Sequence, residues 1–333
     1  MFRPNTVFVI GAGASAEVGL PVGADLMKEI SKRLQFRAEY RDLISGDTHI
    51  YAALRQHYPD QINNYFKKGR QISDGLTLAT SIDNYLFEHG NDDEIRRLAK
   101  AAILTTLLEK ERNGALKIID DRRINFDHPN DTWFEKFARK LFEQKRIDEL
   151  FDGISVINFN YDRCLEHYLR FAIQRYYHVS IDEAESVVSG LEMVHPYGEL
   201  GELAPMRGGE PNKLAFGKNV HSERLFEFAE SIRTFHEQDK EANDFKKIER
   251  LVNKANHFIF LGFGFLPQNI ALLKPTKRSE NRSVKATAYC ASDFNRKEIA
   301  RQLKLNFAYH PSASIEISTE TCSSFFDEYW MGL

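Results

Sequence analysis

The stretch Val7–Gly23, VFVIGAGASAEVGLPVG, constrains this 333-residue chain more than any other. Val7 to Ile10 form an apolar run without alternation, the pattern of a strand buried on both faces in a parallel sheet. Gly11-Ala12-Gly13-Ala14-Ser15 follows at once. Glycines here allow a sharp turn and a close approach of backbone to a ligand. A helix opening just beyond would offer free amide N–H groups to a phosphate. A tight turn with no ligand is the competing reading. The pattern also continues, to Gly19, Leu20, Pro21 and Gly23.

Gly23 to Leu34 reads as a helix, with Leu26, Ile30 and Leu34 at helical spacing. Residues 36–75 are polar and aromatic with no clear strand. Ser81-Ile82-Asp83 opens a helical segment, IDNYLFEH. Asp93 could cap a longer helix whose apolar face includes Ile95, Leu98, Ala102, Ile103 and Leu107. A further helix after Asp131 would bury Trp133, Phe134, Phe137, Leu141 and Phe142. Residues 36–146 are therefore expected to be a mostly helical insertion or cap within a single domain spanning 1–333.

The sheet is expected to resume at Ile154–Phe159, followed by a helix from Arg163 to about Tyr177. Met193-Val194-His195 is a short strand candidate, and 200–220, with several Gly and Pro, a loop. Ser222 starts an amphipathic helix carrying Leu225, Phe228, Ala229 and Ile232, and another helix spans roughly 243–255. His257–Gly262 and Val284–Cys290 are further strands. Asp293 would cap a helix running to Leu303. Ser314–Ile317 could form a last strand, before a short helix with Phe325, Phe326, Tyr329 and Trp330, whose rings belong to the core or to an interface. The fold class is α/β, a Rossmann-like doubly wound parallel sheet. Ligands of such sheets bind at the carboxyl ends of strands, here Gly11–Ser15, Asn158–Asp162 and Gly262–Asn269.

Gly11, Gly13 and Ala16 satisfy the G-x-G-x-x-G/A spacing. A redox dehydrogenase would continue with an uninterrupted helix, a second strand and an acidic residue about 20 positions on. Gly19 and Pro21 interrupt that helix, and QFRAEYRDL near 35–45 is polar. A dehydrogenase is the losing reading.

Composition excludes other classes. A net charge of −3 gives no global drive toward nucleic acid or anionic membrane. Cys164, Cys290 and Cys322 form no Cys-x-x-Cys pair, so no thiolate zinc site, and no metal, is expected. A sparse cysteine count without a secretory leader fits the cytoplasm. No run of about 20 apolar residues suggests a membrane span. Most of the 25 phenylalanines are assigned to core packing and a few to partner contacts.

Four stretches, in order, then carry a resemblance: Gly11-Ala12-Gly13-Ala14-Ser15 with Gly19-Leu20-Pro21; Asn158-Phe159-Asn160-Tyr161-Asp162; His195-Pro196-Tyr197-Gly198; and Phe260-Leu261-Gly262-Phe263-Gly264. Together they resemble the motifs of the sirtuin-like family of NAD-consuming proteins, and Ser81-Ile82-Asp83 looks like a segment of its bacterial branch. The resemblance implies cleavage of the nicotinamide–ribose bond with Asn160 and His195 as the catalytic pair. An amide can orient a water through its oxygen and a ribose hydroxyl through its NH₂, and a histidine can serve as general base near neutral pH. Asn160 also has the reading of a turn residue before a helix. Asp162 could hold the nicotinamide-side loop or cap the helix. The implied dinucleotide contacts are Gly11, Ala12, Gly13, Ser15, Leu20, Pro21, Asp83, Asp162, Tyr197, Gly262, Phe263, Gly264 and Asn269.

The chain departs from the protein-deacylating members. Their paired zinc cysteines are missing, Gly19-Leu20-Pro21 continues as Val22-Gly23-Ala24 without an arginine, and Tyr197 stands where a histidine directly precedes the glycine. Either His195 reaches the site on a longer loop or Tyr197 takes over part of its role. These departures look like the branch that hydrolyses NAD, many of whose members act as antiphage effectors depleting the cofactor in infected cells. That branch implies activation by self-assembly into an oligomer or by a separate sensor protein, with NAD as substrate and no nucleic acid or membrane partner. A non-catalytic module that senses NAD or ADP-ribose is the alternative. A protein deacylase or ADP-ribosyl transferase is a third reading.

Overall fold

The computed structural model of the chain describes residues 1–40, 42–120, 123–127, 131–208, 212–233, 237, 243–277, 282–307 and 313–333. The unbroken apolar runs become the centre of one sheet. Its strands are β1 (Thr6–Ile10), β2 (Ile154–Asn158), β3 (Met193–Val194), β4 (His257–Leu261), β5 (Ser283–Thr287) and β6 (Ser314–Ser318). All pairings are parallel, in the order β3-β2-β1-β4-β5-β6. This is a Rossmann-like doubly wound order, in which the chain leaves β1 on one side and later returns to fill the other. β1 and β2 are buried along their full length. The edges fall on two-residue β3 and partly exposed β6, and short edges limit pairing with other chains.

After β1, α1 (Ala12–Ser15) runs into a 3₁₀ turn (Ala16–Val18). Gly19, at φ +93°, stops it by donating its N–H to the Ala16 carbonyl at 3.0 Å. The helix restarts as α2 (Gly23–Leu34), which buries Leu26, Ile30 and Leu34 as their spacing predicts. Residues 36–146 then hold α3 (Thr48–His57), α4 (Ile62–Leu76), α5 (Ile82–His89), α6 (Asp93–Asn113) and α7 (Trp133–Phe142). They also hold two small antiparallel hairpins, Arg37–Glu39 with Asp42–Ser45 and Ile118–Asp120 with Arg123–Ile124, which sequence patterning does not indicate. Ser81 caps α5 through Oγ, which accepts the Asn84 N–H at 3.0 Å. Asp92, not Asp93, caps α6, accepting from Glu94 and Ile95 N–H at 3.1 Å each.

The remaining helices are α8 (Cys164–Tyr177), α9 (Ile181–Ser189), α10 (Leu225–Ala229), α11 (Asn243–Lys254), α12 (Pro267–Leu272), α13 (Asp293–Phe307) and α14 (Cys322–Tyr329). α10 stops short of Ile232, which is buried beyond its end. At α13 the side chain that accepts a first-turn N–H is Ser292, from Asn295, and the helix passes Leu303 to reach Phe307. The described part of 200–220 holds no helix and no strand, and residues 209–211 of it lie outside the described residues. Phe325 and Phe326 are fully buried, which assigns these two rings to the core. Among the described residues no helix is long and apolar enough to cross a membrane.

Two polar contacts tie distant segments together. Glu17, in the turn after the Gly loop, accepts the Trp133 N–H at the start of α7 and the Ser323 N–H at the start of α14, both at 2.8 Å. The Trp133 indole N–H donates to the Ala14 carbonyl at 2.7 Å. The second contact is an ion pair with no exposure on either side, Arg163 Nη2 to Glu111 Oε2 at 2.7 Å. Arg163 also donates to the Gly201 and Leu214 carbonyls, and Glu111 accepts the Gly217 N–H. One buried pair thus fixes both α6 against α8 and the irregular loop. Removing one partner leaves the other charge buried. Glu111→Gln is therefore expected to lower stability by about 3–5 kcal/mol in urea unfolding, and Glu111→Leu with Arg163→Met to recover most of that loss.

Candidate functional site

Register brings three strand ends level. Ile10 pairs with Asn158 on one side and Leu261 on the other, so Gly11, Phe159 and Gly262 leave the sheet side by side. Gly11 N–H donates to Leu261 O and Gly13 N–H to Gly262 O, both at 3.0 Å, and Ala14 N–H donates to Gly11 O at 2.9 Å. These three amides are engaged by carbonyls and do not stand free for a phosphate in this arrangement. Absence of side chains lets the loops touch. A Cβ on Gly11 would lie 2.7 Å from Gly262 O, and one on Gly262, at φ +56°, would lie 2.0 Å from Ala14 N. Thr287 on β5 holds the far loop, its Oγ1 accepting the Gly262 N–H at 2.8 Å.

Asn160 bridges β2 to the Gly loop. Its Nδ2 donates to Gly11 O and to Ser15 Oγ, both at 3.0 Å, while its own N–H donates to Asn158 Oδ1 at 3.1 Å. The turn contact and the contacts to the Gly loop coexist. Both amide hydrogens are committed to the protein, so the NH₂ is not available to a ribose hydroxyl. Oδ1 makes no hydrogen bond among the described residues. Asp162 accepts the Cys164 N–H at 3.2 Å and so caps the first turn of α8. Burial pushes its carboxyl above the usual range, opposed by hydrogen bonds from Ser15 and Cys164.

An aromatic layer adjoins these groups. Phe159 meets Phe263 and Tyr197 edge to face, with centroids 5.1 and 5.9 Å apart. The Tyr197 hydroxyl donates to Asn269 Oδ1 at 2.6 Å, and the Tyr161 hydroxyl donates to Asp83. Burial pushes the Tyr161 and Tyr197 hydroxyls up and also raises the Asp83 carboxyl, which the Tyr161 hydrogen bond partly offsets. Ala12, the first residue of α1, and Gly264 are exposed. Leu20 and Pro21 line a different cavity, of about 400 Å³, beside Asp25, Lys28 and Lys110.

His195 is close to Asn160 but does not point a free nitrogen at the Gly loop. It follows β3, where Val194 pairs with Ile157. Its Nδ1 donates to the Asn160 carbonyl at 3.1 Å, and its Nε2 lies 3.0 Å from Glu166 Oε1. Burial would pull the ring down, yet the hydrogen bond and charge of Glu166, helped by Glu199 and the Asn160 carbonyl, hold the imidazolium up at about 9. With Nδ1 on the Asn160 carbonyl and Nε2 on Glu166, neither ring nitrogen is left over to face the Gly loop. The partner that engages Nε2 is Glu166. That glutamate lies in the first turn of α8, behind the Asn160–Asp162 motif, and Glu199 follows His195 by one turn's length. Sequence reading missed both. The only available signal was a glutamate on an otherwise buried helix face.

No protein-family model matches the chain, and no curated protein matches it significantly.

The His195 pair has a pH signature. The ring's affinity for a proton is raised from 6.5 to about 9 on folding, so its contribution is complete below pH 6.5 and is lost as pH rises through 9. Unfolding free energy is expected to fall by on the order of 2–3 kcal/mol across that window. Denaturant melts of wild type against Glu166→Gln measure it, and the slope should flatten in the variant.

Proposed function

We propose that the chain is a sirtuin-like NAD glycohydrolase that releases nicotinamide and ADP-ribose. The observation that carries this reading is the fixed amide of Asn160. Its NH₂ is anchored on Gly11 and Ser15 at the switch point of a dinucleotide-type sheet, and its Oδ1 is left unbonded. In this reading Oδ1 orients a water toward the anomeric carbon. The C1′–N bond breaks, its electron pair leaves with neutral nicotinamide, the water oxygen bonds C1′, and one proton goes to solvent. Nicotinamide leaves from a cationic ring, so the step needs positioning more than proton transfer. His195 acts here as a positioning residue, holding the Asn160 carbonyl.

Asn160, Tyr197, Phe263 and Asn269 are all buried. Burial matches a site that opens on self-assembly or on binding a sensor protein, as expected of an effector that depletes NAD during phage infection. The engaged nitrogens of His195 favour a second reading, a module that binds NAD or ADP-ribose without cutting it.

Chromatography of NAD incubated with the purified protein, alone and with products of neighbouring genes, separates the two. Free nicotinamide is expected, reduced at least about 100-fold in kcat/KM by Asn160→Ala, the scale for losing one positioned hydrogen-bonding group. An unchanged rate in that variant overturns the assignment of Asn160, and tight NAD binding without product under every condition establishes the sensor. The rate of the active form should also show no limb at about pH 6.5 from His195, whose proton affinity Glu166 holds up at about 9.

A further inference from the structure

We infer that Glu166, His195 and Glu199 form a binding site for one divalent first-row cation of the zinc or manganese class. The donor atoms of the three side chains lie within 4.8 Å of one another. They sit in the wall of a cavity of about 470 Å³, from which His195 also reaches the Asn160 carbonyl. The site uses none of the three cysteines and stands whether or not NAD is cleaved at Asn160.

The arrangement has the features that distinguish a ligand set from a chance ion pair. Metal-bound histidines characteristically donate their other ring N–H to a carbonyl or carboxylate, which fixes the tautomer and aims the free nitrogen. His195 does this with Nδ1 on the Asn160 carbonyl, and its Nε2 faces Glu166, where a cation would displace the Nε2 proton to solvent and take the lone pair. Glu166 uses only one oxygen there. Its Oε2 is buried with no hydrogen-bond partner, a costly state for a carboxylate oxygen that a cation would satisfy.

Charge points the same way. Of the other glutamates lining the cavity, Glu185 pairs with Arg170 at 3.1 Å and Glu202 with Lys213 at 2.8 Å. No lysine or arginine forms an ion pair with Glu166 or Glu199 among the described residues. Their nearest cationic partner is His195, so once Nε2 gives up its proton to a metal the two carboxylates are left to balance the dication. One imidazole with two carboxylates is a mixed N,O set, which suits zinc or manganese better than calcium or magnesium with their preference for oxygen alone. Metal–ligand distances of about 2.0–2.2 Å place donors roughly 3–4 Å apart, so small side-chain rotations close the set. The remaining coordination positions would face the cavity.

Calorimetric titration of chelator-dialysed, full-length protein with ZnCl₂ and with MnCl₂ tests the site without NAD present. One saturable cation per chain is expected, weakened at least about 100-fold in both Glu166→Gln and Glu199→Gln, since even groups that only support ligands contribute 10–100-fold. Cobalt(II) gives an independent signature: ligand-field absorption with wild type that is lost or altered in Glu199→Gln. Circular dichroism shows whether each variant is folded, and Glu199→Asp, which keeps the charge but shortens the reach, should bind with intermediate strength. Absence of saturable binding by wild type, or binding unchanged in both glutamine variants, overturns the proposal.

Discussion

Everything at the carboxyl edge of the sheet depends on two backbones touching where side chains are absent. β1 and β4 run in register, and their following loops meet through Gly11, Gly13 and Gly262. With Gly262 in the left-handed region and its missing Cβ directed at Ala14 N, any other residue there would both strain the chain and push the loops apart. Because that contact sets the height of the Gly loop, it also sets where Gly11 O and Ser15 Oγ wait for Asn160. Glycines that could have been shaped by a ligand are thus already required by the protein's own packing.

The same contact divides labour within Asn160. An aspartate at this position would face Gly11 O with an acceptor and lose the bond, whereas the amide can hold the loop with one end and present oxygen with the other. His195 reinforces this by gripping the backbone of the same residue. Asn160 is consequently held at its carbonyl, its N–H and its NH₂. Preorganisation of this kind places an acceptor without relying on the mobility of a long side chain.

Much of this was legible in the sequence. Unbroken runs such as VFVI and SVIN marked the central strands, and Gly19 with Pro21 marked the break between α1 and α2. The meeting of the three strand ends followed from the doubly wound order. Sequence patterning failed where burial was incomplete. The hairpin near 37–45 is largely exposed and the strands of the one near 118–124 are only two or three residues long, so no alternation betrays them, and α9 buries only Ile181 and Ala184. At α6 and α13 an adjacent residue supplied the capping contact because neighbouring polar residues compete for it. The partnership of His195 with Glu166 was invisible for another reason. It joins residues from different elements, and its consequence, a ring with no free nitrogen, is purely geometric.

Glu17 gives the architecture a direction in time. It sits within the turn that completes the Gly loop, yet it is held by the amides of Trp133 and Ser323, which a ribosome makes long after it. Until the segment Cys322–Tyr329 has emerged, Glu17 lacks one of its two amide partners and the loop lacks a brace beneath it. A nascent chain carrying every motif of the site would still be without its finished geometry, which is complete only when the helix Cys322–Tyr329 docks.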